Sequence, residues 1–118
     1  MQDTFIYLAS CSTCKRILGE LNLPDTVVLQ NTKETPVTQE LLTYLMAQSG
    51  SYESLFNRRS QQYRARGLHE KDLDELDYKS LLLEHYSFIK RPILIYNDTA
   101  YIGNSKKTVA AAQEAIDS

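Results

Sequence analysis

Cys11-Ser12-Thr13-Cys14 constrains this chain more than any other stretch. It follows directly on an apolar run, Phe5-Ile6-Tyr7-Leu8, and opens a segment with helical periodicity. A strand that delivers two cysteines to a helix N-terminus makes a thiol reactive. The helix dipole and the free backbone N–H groups stabilise a thiolate there, and Lys15 and Arg16 add positive charge. The rest of the chain reads as a platform around this site.

The two cysteines, three apart, cannot staple distant parts of the chain, so a secreted disulfide scaffold is excluded. Zinc would need two further ligands at similar spacing, and only His69 and His85 remain. No metal is expected. A working thiol pair fits a reducing cytoplasm. Thirteen basic residues face fifteen acidic ones, interspersed, and the net charge of −2 gives no case for direct nucleic-acid binding. No apolar run approaches the roughly 18 residues of a membrane span. Met1-Gln2-Asp3-Thr4 lacks a basic n-region, so no signal peptide is expected and the localisation expected is cytoplasmic. A chain of 118 residues allows one domain, 1–118, with one modest core.

Taken in order, residues 4–9 read as a strand buried on both faces. Residues 12–22 read as a helix, with Cys14, Ile17, Leu18 and Leu21 on one stripe. That stripe turns Cys14 inward and leaves Cys11 more exposed. Asn22 and Pro24 end it. The β-branched run 26–29 predicts a second strand. Thr38 can cap a helix over 39–48, with Leu41, Leu42, Leu45 and Met46 inward, and Ser49-Gly50-Ser51 breaks it. A helical turn is expected at 52–56. The stretch 57–66 is basic, with Arg58, Arg59, Arg64 and Arg66 and no acid. Asp74, with Asp77 three later, can start another helix with Tyr78, Leu81, Leu82 and Tyr86 on its face. A third strand, 93–96, joins a returning strand, 99–102, through Asn97-Asp98, a two-residue hairpin signal. Ser105 caps a last helix with Val109, Ala112 and Ile116 inward. The order β-α-β, several helices, β-β-α predicts an α/β, thioredoxin-like fold with a mixed four-stranded sheet. Its core is 1–36 and 88–118, and the helical insertion is 37–87.

Cys11 is the candidate nucleophile, its sulfur able to face the N–H groups of Thr13 and Cys14. Cys14, one turn on, can attack a mixed disulfide at Cys11 and release the partner thiol. Equally, it can be a small core residue that packs the helix. Pro92, opening an apolar strand, cannot donate to a sheet ladder and is a candidate cis proline. Arg91 would then present a guanidinium near the thiolate, able to hold an oxyanion or carboxylate. The alternative is a surface arginine beside Lys90. Of the arginines at 58–66, most are expected to be solvated charges. His69 and His85 read as structural or solvated.

Several stretches together resemble the arsenate reductase family, which includes glutaredoxin-coupled arsenate reductases and the Spx regulators. Cys11-Ser12-Thr13-Cys14-Lys15-Arg16 is similar to the family's cysteine loop. Leu55-Phe56-Asn57-Arg58-Arg59-Ser60, followed by Tyr63 and Gly67-Leu68, resembles its central segment. Phe88-Ile89-Lys90-Arg91-Pro92-Ile93 resembles its R-P signature. The resemblance implies a thioredoxin-like fold and a cis Pro92. It implies Cys11 as catalytic cysteine and Arg91 as an oxyanion-binding arginine. It matches Arg59 to the central arginine of the Spx-type branch, which the C-x-x-C also resembles. Ser12, Thr13, Lys15, Arg59, Arg91 and Pro92 are the expected anion-binding set. The arginines of the arsenate reductases are incomplete here: none follows Arg91, and Asn57 stands at the position of their central arginine. The expectation is therefore a thiol-dependent reductase rather than arsenate reduction specifically.

Two functions follow from the resemblance. One is a thiol oxidoreductase in which the Cys11 thiolate attacks an oxyanion or a mixed disulfide. Cys14 or an external thiol then resolves the adduct, with glutathione as co-substrate, no bound cofactor, and glutaredoxin or thioredoxin as partner. The other is a redox-sensing regulator of the Spx type, whose partner would be the C-terminal domain of the RNA polymerase α subunit. Gly50 falls where Spx has a glycine at that contact surface.

Overall fold

The computed structural model describes residues 1–118. Its chain divides into two compact units, Met1–Thr35 with Arg91–Ser118, and Pro36–Lys90.

The first unit is built on a four-stranded sheet: β1 (Thr4–Tyr7), β2 (Val28–Asn31), β3 (Ile93–Tyr96) and β4 (Thr99–Ile102), in the order β2-β1-β3-β4. β1 runs parallel to β2 and antiparallel to β3, and β3 and β4 form a hairpin. The mixed, four-stranded α/β sheet is the thioredoxin-like arrangement expected. Phe5 and Ile6, adjacent and both fully buried, show that β1 is covered on both faces. The hairpin turns on Asn97 and Asp98, whose φ angles of 49° and 60° give the left-handed pair that a tight two-residue turn needs. Helices α1 (Ser12–Glu20) and α5 (Lys106–Asp117) complete this unit. On one sheet face Phe5 and Leu94 pack with Ile17, Leu21, Val27 and Ala112. Val109 and Ile116 join them from α5, as its periodicity predicted.

β2 lies two residues later than the run 26–29 suggested. Val27 is buried in the core, but within a turn closed by its N–H on the Pro24 carbonyl (3.0 Å). Its apolar character signalled burial and not ladder pairing. β1 and α1 also end two residues early. Leu21 is already extended, its N–H bonded to the Ile17 carbonyl.

The second unit carries α2 (Gln39–Ser49), α3 (Gln61–Ala65), α4 (Glu75–Glu84) and three short 3-10 turns. Thr38 caps α2 by accepting the Leu41 N–H (3.1 Å). Gly50 ends α2 with φ 98°, a left-handed conformation that favours glycine. Asp74 and Asp77 form a reciprocal capping box at α4. Phe56 is the aromatic centre, stacked on Phe88 at 5.2 Å and edge-on to Tyr78 and Tyr63. Its segment is tied to 88–90 by Asn57 N–H to the Phe88 carbonyl (2.7 Å) and Lys90 N–H to the Leu55 carbonyl (2.8 Å).

Candidate active site

β1 ends at Tyr7, and four residues separate it from the start of α1 at Ser12. The turn between them is closed by the Cys11 N–H on the Leu8 carbonyl (2.9 Å). This puts Cys11 at the N-cap, in extended backbone, with its carbonyl starting the helix through the Lys15 N–H (3.1 Å). Cys11 is half-buried and Cys14 fully buried, and both are free thiols. The inward and outward roles match the stripe read from the sequence.

The two thiols are driven in opposite directions. Burial pushes Cys11 up, but the other influences together outweigh it and hold it below its ordinary 9.0. These are, in order, the Cys14 N–H, the Cys14 thiol, and the Arg91 guanidinium, the last by hydrogen bond and by charge. Cys14 is pushed up to about 11, chiefly by burial. A backbone hydrogen bond with Leu8 works against the rise, and the neighbouring Cys11 sulfur adds to it. The arrangement is thus a Cys14 held protonated and able to donate toward Cys11, and a Cys11 whose thiolate is favoured by that donor and by Arg91 on the same sulfur.

Arg91 reaches this position because it lies just before β3, the strand that pairs with β1 in the same sheet. The Arg91–Pro92 peptide is cis, as the sequence suggested. Pro92 is buried and lacks an N–H, but its carbonyl accepts the Gly103 N–H (2.9 Å). Gly103 has φ 99°, where a glycine is favoured.

The other expected residues are less engaged. Ser12 and Lys15 are exposed in the first turn of α1 and Thr13 is half-buried. The backbone N–H acting on the sulfur is that of Cys14. Arg16 is paired with Glu20 at 2.7 Å, so its charge is largely offset. In the second unit, Arg58 is held by Glu53 (2.6 Å) and the Tyr78 hydroxyl (3.0 Å). Arg66 pairs with Glu84 and lies over the Phe88 ring. Arg59 and Arg64 are exposed, and no carboxylate pairs with either. His85 is structural: its Nδ1 accepts the Ser87 N–H (3.1 Å). Ser87 bonds Ser60 (2.7 Å), anchoring the end of the Asn57–Ser60 loop. No cluster of His, Cys, Asp or Glu could hold a metal ion, and no helix is long and apolar enough to cross a membrane.

One residue at the site was not visible in the sequence. Asn31, the last residue of β2, accepts the Ala9 N–H through its side-chain oxygen (3.2 Å). Only the register of β2 against β1 reveals it.

The model of the ArsC family matches residues 7–112, a span that includes both cysteines and the Arg91–Pro92 pair. The chain belongs to the ArsC family. Solved structures agree on the fold. An ArsC family related protein from Bacteroides fragilis matches with a TM-score of 0.80 at 21% identity, covering 95% of this chain and 98% of that one. An arsenate reductase from Vibrio cholerae matches at 0.73 and 21% identity, covering 98% and 99%. An arsenate reductase (ArsC) related protein from Brucella melitensis matches at 0.68 and 21%, covering 94% and 93%. No curated protein matches the sequence. At such identities the structural likeness establishes the ArsC fold, and the chemistry is argued from the residues themselves.

Proposed function

We propose that the protein is a thiol-dependent reductase of the ArsC family in which Cys11 is the nucleophile, Cys14 the resolving thiol and Arg91 the anion-binding group. The observation that carries this reading is the opposed tuning of two adjacent thiols, Cys11 held below 9.0 and Cys14 raised to about 11. An attacking thiol must be ionised, and a resolving thiol must wait until an adduct has formed.

On a glutathione mixed disulfide, the Cys11 thiolate attacks one sulfur, forms a new S–S bond and expels the other sulfur as a thiolate. Adduct formation removes the negative charge beside Cys14, which is one of the influences that raise its pKa. Cys14 then loses its proton to solvent and attacks the Cys11 sulfur. The product is a Cys11–Cys14 disulfide and a second released thiolate. Two electrons from glutathione or from a glutaredoxin-type or thioredoxin-type dithiol return both cysteines to thiols. With arsenate, the thiolate would displace one oxygen as water, and two thiols would be oxidised to a disulfide as arsenic goes from the pentavalent to the trivalent state. Arg91 offers a planar fork to a carboxylate or an oxyanion in either case. The missing downstream arginine favours the disulfide substrate.

The test is turnover of a glutathione mixed disulfide, and separately of arsenate, with glutathione, glutaredoxin, glutathione reductase and NADPH. Turnover of the mixed disulfide is expected, with loss in Cys11→Ser and a trapped Cys11 adduct in Cys14→Ser. No turnover of either substrate, or adducts at Cys14 with none at Cys11, would overturn the assignment.

A further inference from the structure

We infer that Asn31 is a positioning residue for Cys11, setting the ionisation of the thiol through the loop that carries it. The inference deepens the reading of Cys11 as nucleophile, but it stands on geometry that no substrate enters.

The ladder between β1 and β2 ends with the Thr32 N–H on the Tyr7 carbonyl (2.9 Å). Beyond it the chain must turn through Leu8, Ala9 and Ser10 before Cys11 can cap α1. Three attachments define that turn. Leu8 is buried, and its backbone hydrogen-bonds the Cys14 sulfur. The Cys11 N–H closes the turn on the Leu8 carbonyl. The third attachment is the Ala9 N–H on Asn31 Oδ1, a partly buried bond between residues 22 apart in sequence.

Asn31 is a rigid anchor. Its backbone pairs in register with Tyr7, and its carbonyl accepts the N–H groups of Glu34 (3.0 Å) and Thr35 (2.8 Å). The carboxamide therefore projects from a fixed corner and adds one rung to the sheet at the point where backbone pairing stops. Its effect reaches Cys11 only through Ala9. Without it, a partly buried N–H loses its acceptor and the turn is held at two points instead of three. The sulfur is then placed less tightly against the Cys14 N–H and the Arg91 guanidinium. Both favour the thiolate, so loosening them moves Cys11 back toward the ordinary thiol range.

The experiment measures the pH dependence of iodoacetamide alkylation between pH 5 and 9. In this range Cys11 reacts and the buried, protonated Cys14 does not. Amide hydrogen exchange at Ala9 is followed on the same samples. Asn31→Ala should expose the Ala9 amide to exchange and raise the Cys11 midpoint by about half a unit, roughly threefold slower alkylation at pH 7. Asn31→Asp, which keeps the acceptor, should keep the Ala9 amide protected. Ser105→Ala, at the start of α5, is the control for lost stability and should leave the midpoint where it is. If Asn31→Ala does not fold, Asn31→Val keeps strand preference at this position and also lacks the acceptor, and the same outcomes apply. An exposed Ala9 amide with an unmoved midpoint would make Asn31 merely structural and overturn the inference. So would an Ala9 amide that stays protected without the carboxamide. Neither measurement uses a substrate, so an inactive protein with a shifted midpoint would overturn the proposed reaction and leave this role standing.

Discussion

Two helices of the same unit begin differently, and the difference explains where the chemistry sits. At α5, Ser105 Oγ accepts the Thr108 N–H (3.1 Å) and donates to the Thr108 hydroxyl (2.8 Å). The hydroxyl satisfies a free helix donor, and nothing reactive results. At α1 the capping position holds Cys11, which sets a sulfur in place of a hydroxyl against the Cys14 N–H. A neutral thiol is a weak acceptor. A thiolate is a strong one, so the same N–H groups that a serine would satisfy instead favour ionisation. Arg91 adds charge on that sulfur and Cys14 adds a donor. One helix start serves stability, and the other leaves its donors to an ionisable atom.

The sharpest way to break the comparison is Cys11→Ser, which gives α1 the same start as α5. Turnover should fall by a thousandfold or more, on the order of what loss of a nucleophile costs other enzymes. Stability should hold or rise by about 0.5–1 kcal/mol, because an oxygen cap replaces a poor one. Urea unfolding beside the turnover assay checks both. A variant that lost stability and activity together would show that the sulfur was structural.

Arg91→Ala leaves the helix start intact and removes the charge. The Cys11 midpoint should rise by about one unit, a tenfold loss of alkylation rate at pH 7. Arg91→Lys should fall between, since it keeps a charge but not the fork. Stability gives an independent reading. A thiol whose folded pKa is depressed stabilises the fold fully above its unfolded value near 9.0, and that contribution is lost as pH falls through the folded value. In Arg91→Ala this rise in stability toward pH 9 should shrink. An unchanged alkylation profile would remove Arg91 from the site.

What the sequence revealed, and what it hid, follows the range of each interaction. The caps at Thr38, Asp74 and Ser105 and the Asn97-Asp98 turn were legible because each is closed within a few residues. The two cysteines were legible for the same reason: a helical stripe already separates an inward position from an outward one. β2 was misplaced because Val27 is apolar for the core and not for the ladder. Asn31 was invisible because its role exists only once β2 is in register with β1. The basic stretch is one feature in sequence, yet in the fold it divides. Arg58 and Arg66 are taken up by Glu53 and Glu84, and Arg59 and Arg64 are not. Those partners lie on other turns and helices, so no spacing within 57–66 could have sorted them.

The smallest effect is expected at α5, and it completes the comparison. Ser105→Ala removes the acceptor from the Thr108 N–H, a loss of about 0.5–1 kcal/mol at an exposed cap where water can partly replace the hydroxyl. Thr108 also loses the donor to its own hydroxyl, but that group is free to rotate toward solvent. Neither change touches the Cys11 loop, so the alkylation midpoint and the Ala9 amide protection should match those of the unsubstituted protein. A urea series and an alkylation profile on one preparation decide it. If Ser105→Ala moved the Cys11 midpoint, the two helix starts would be coupled through the sheet. The midpoint would then report the stability of the unit, and the separation between a cap that only stabilises and one that ionises would fail.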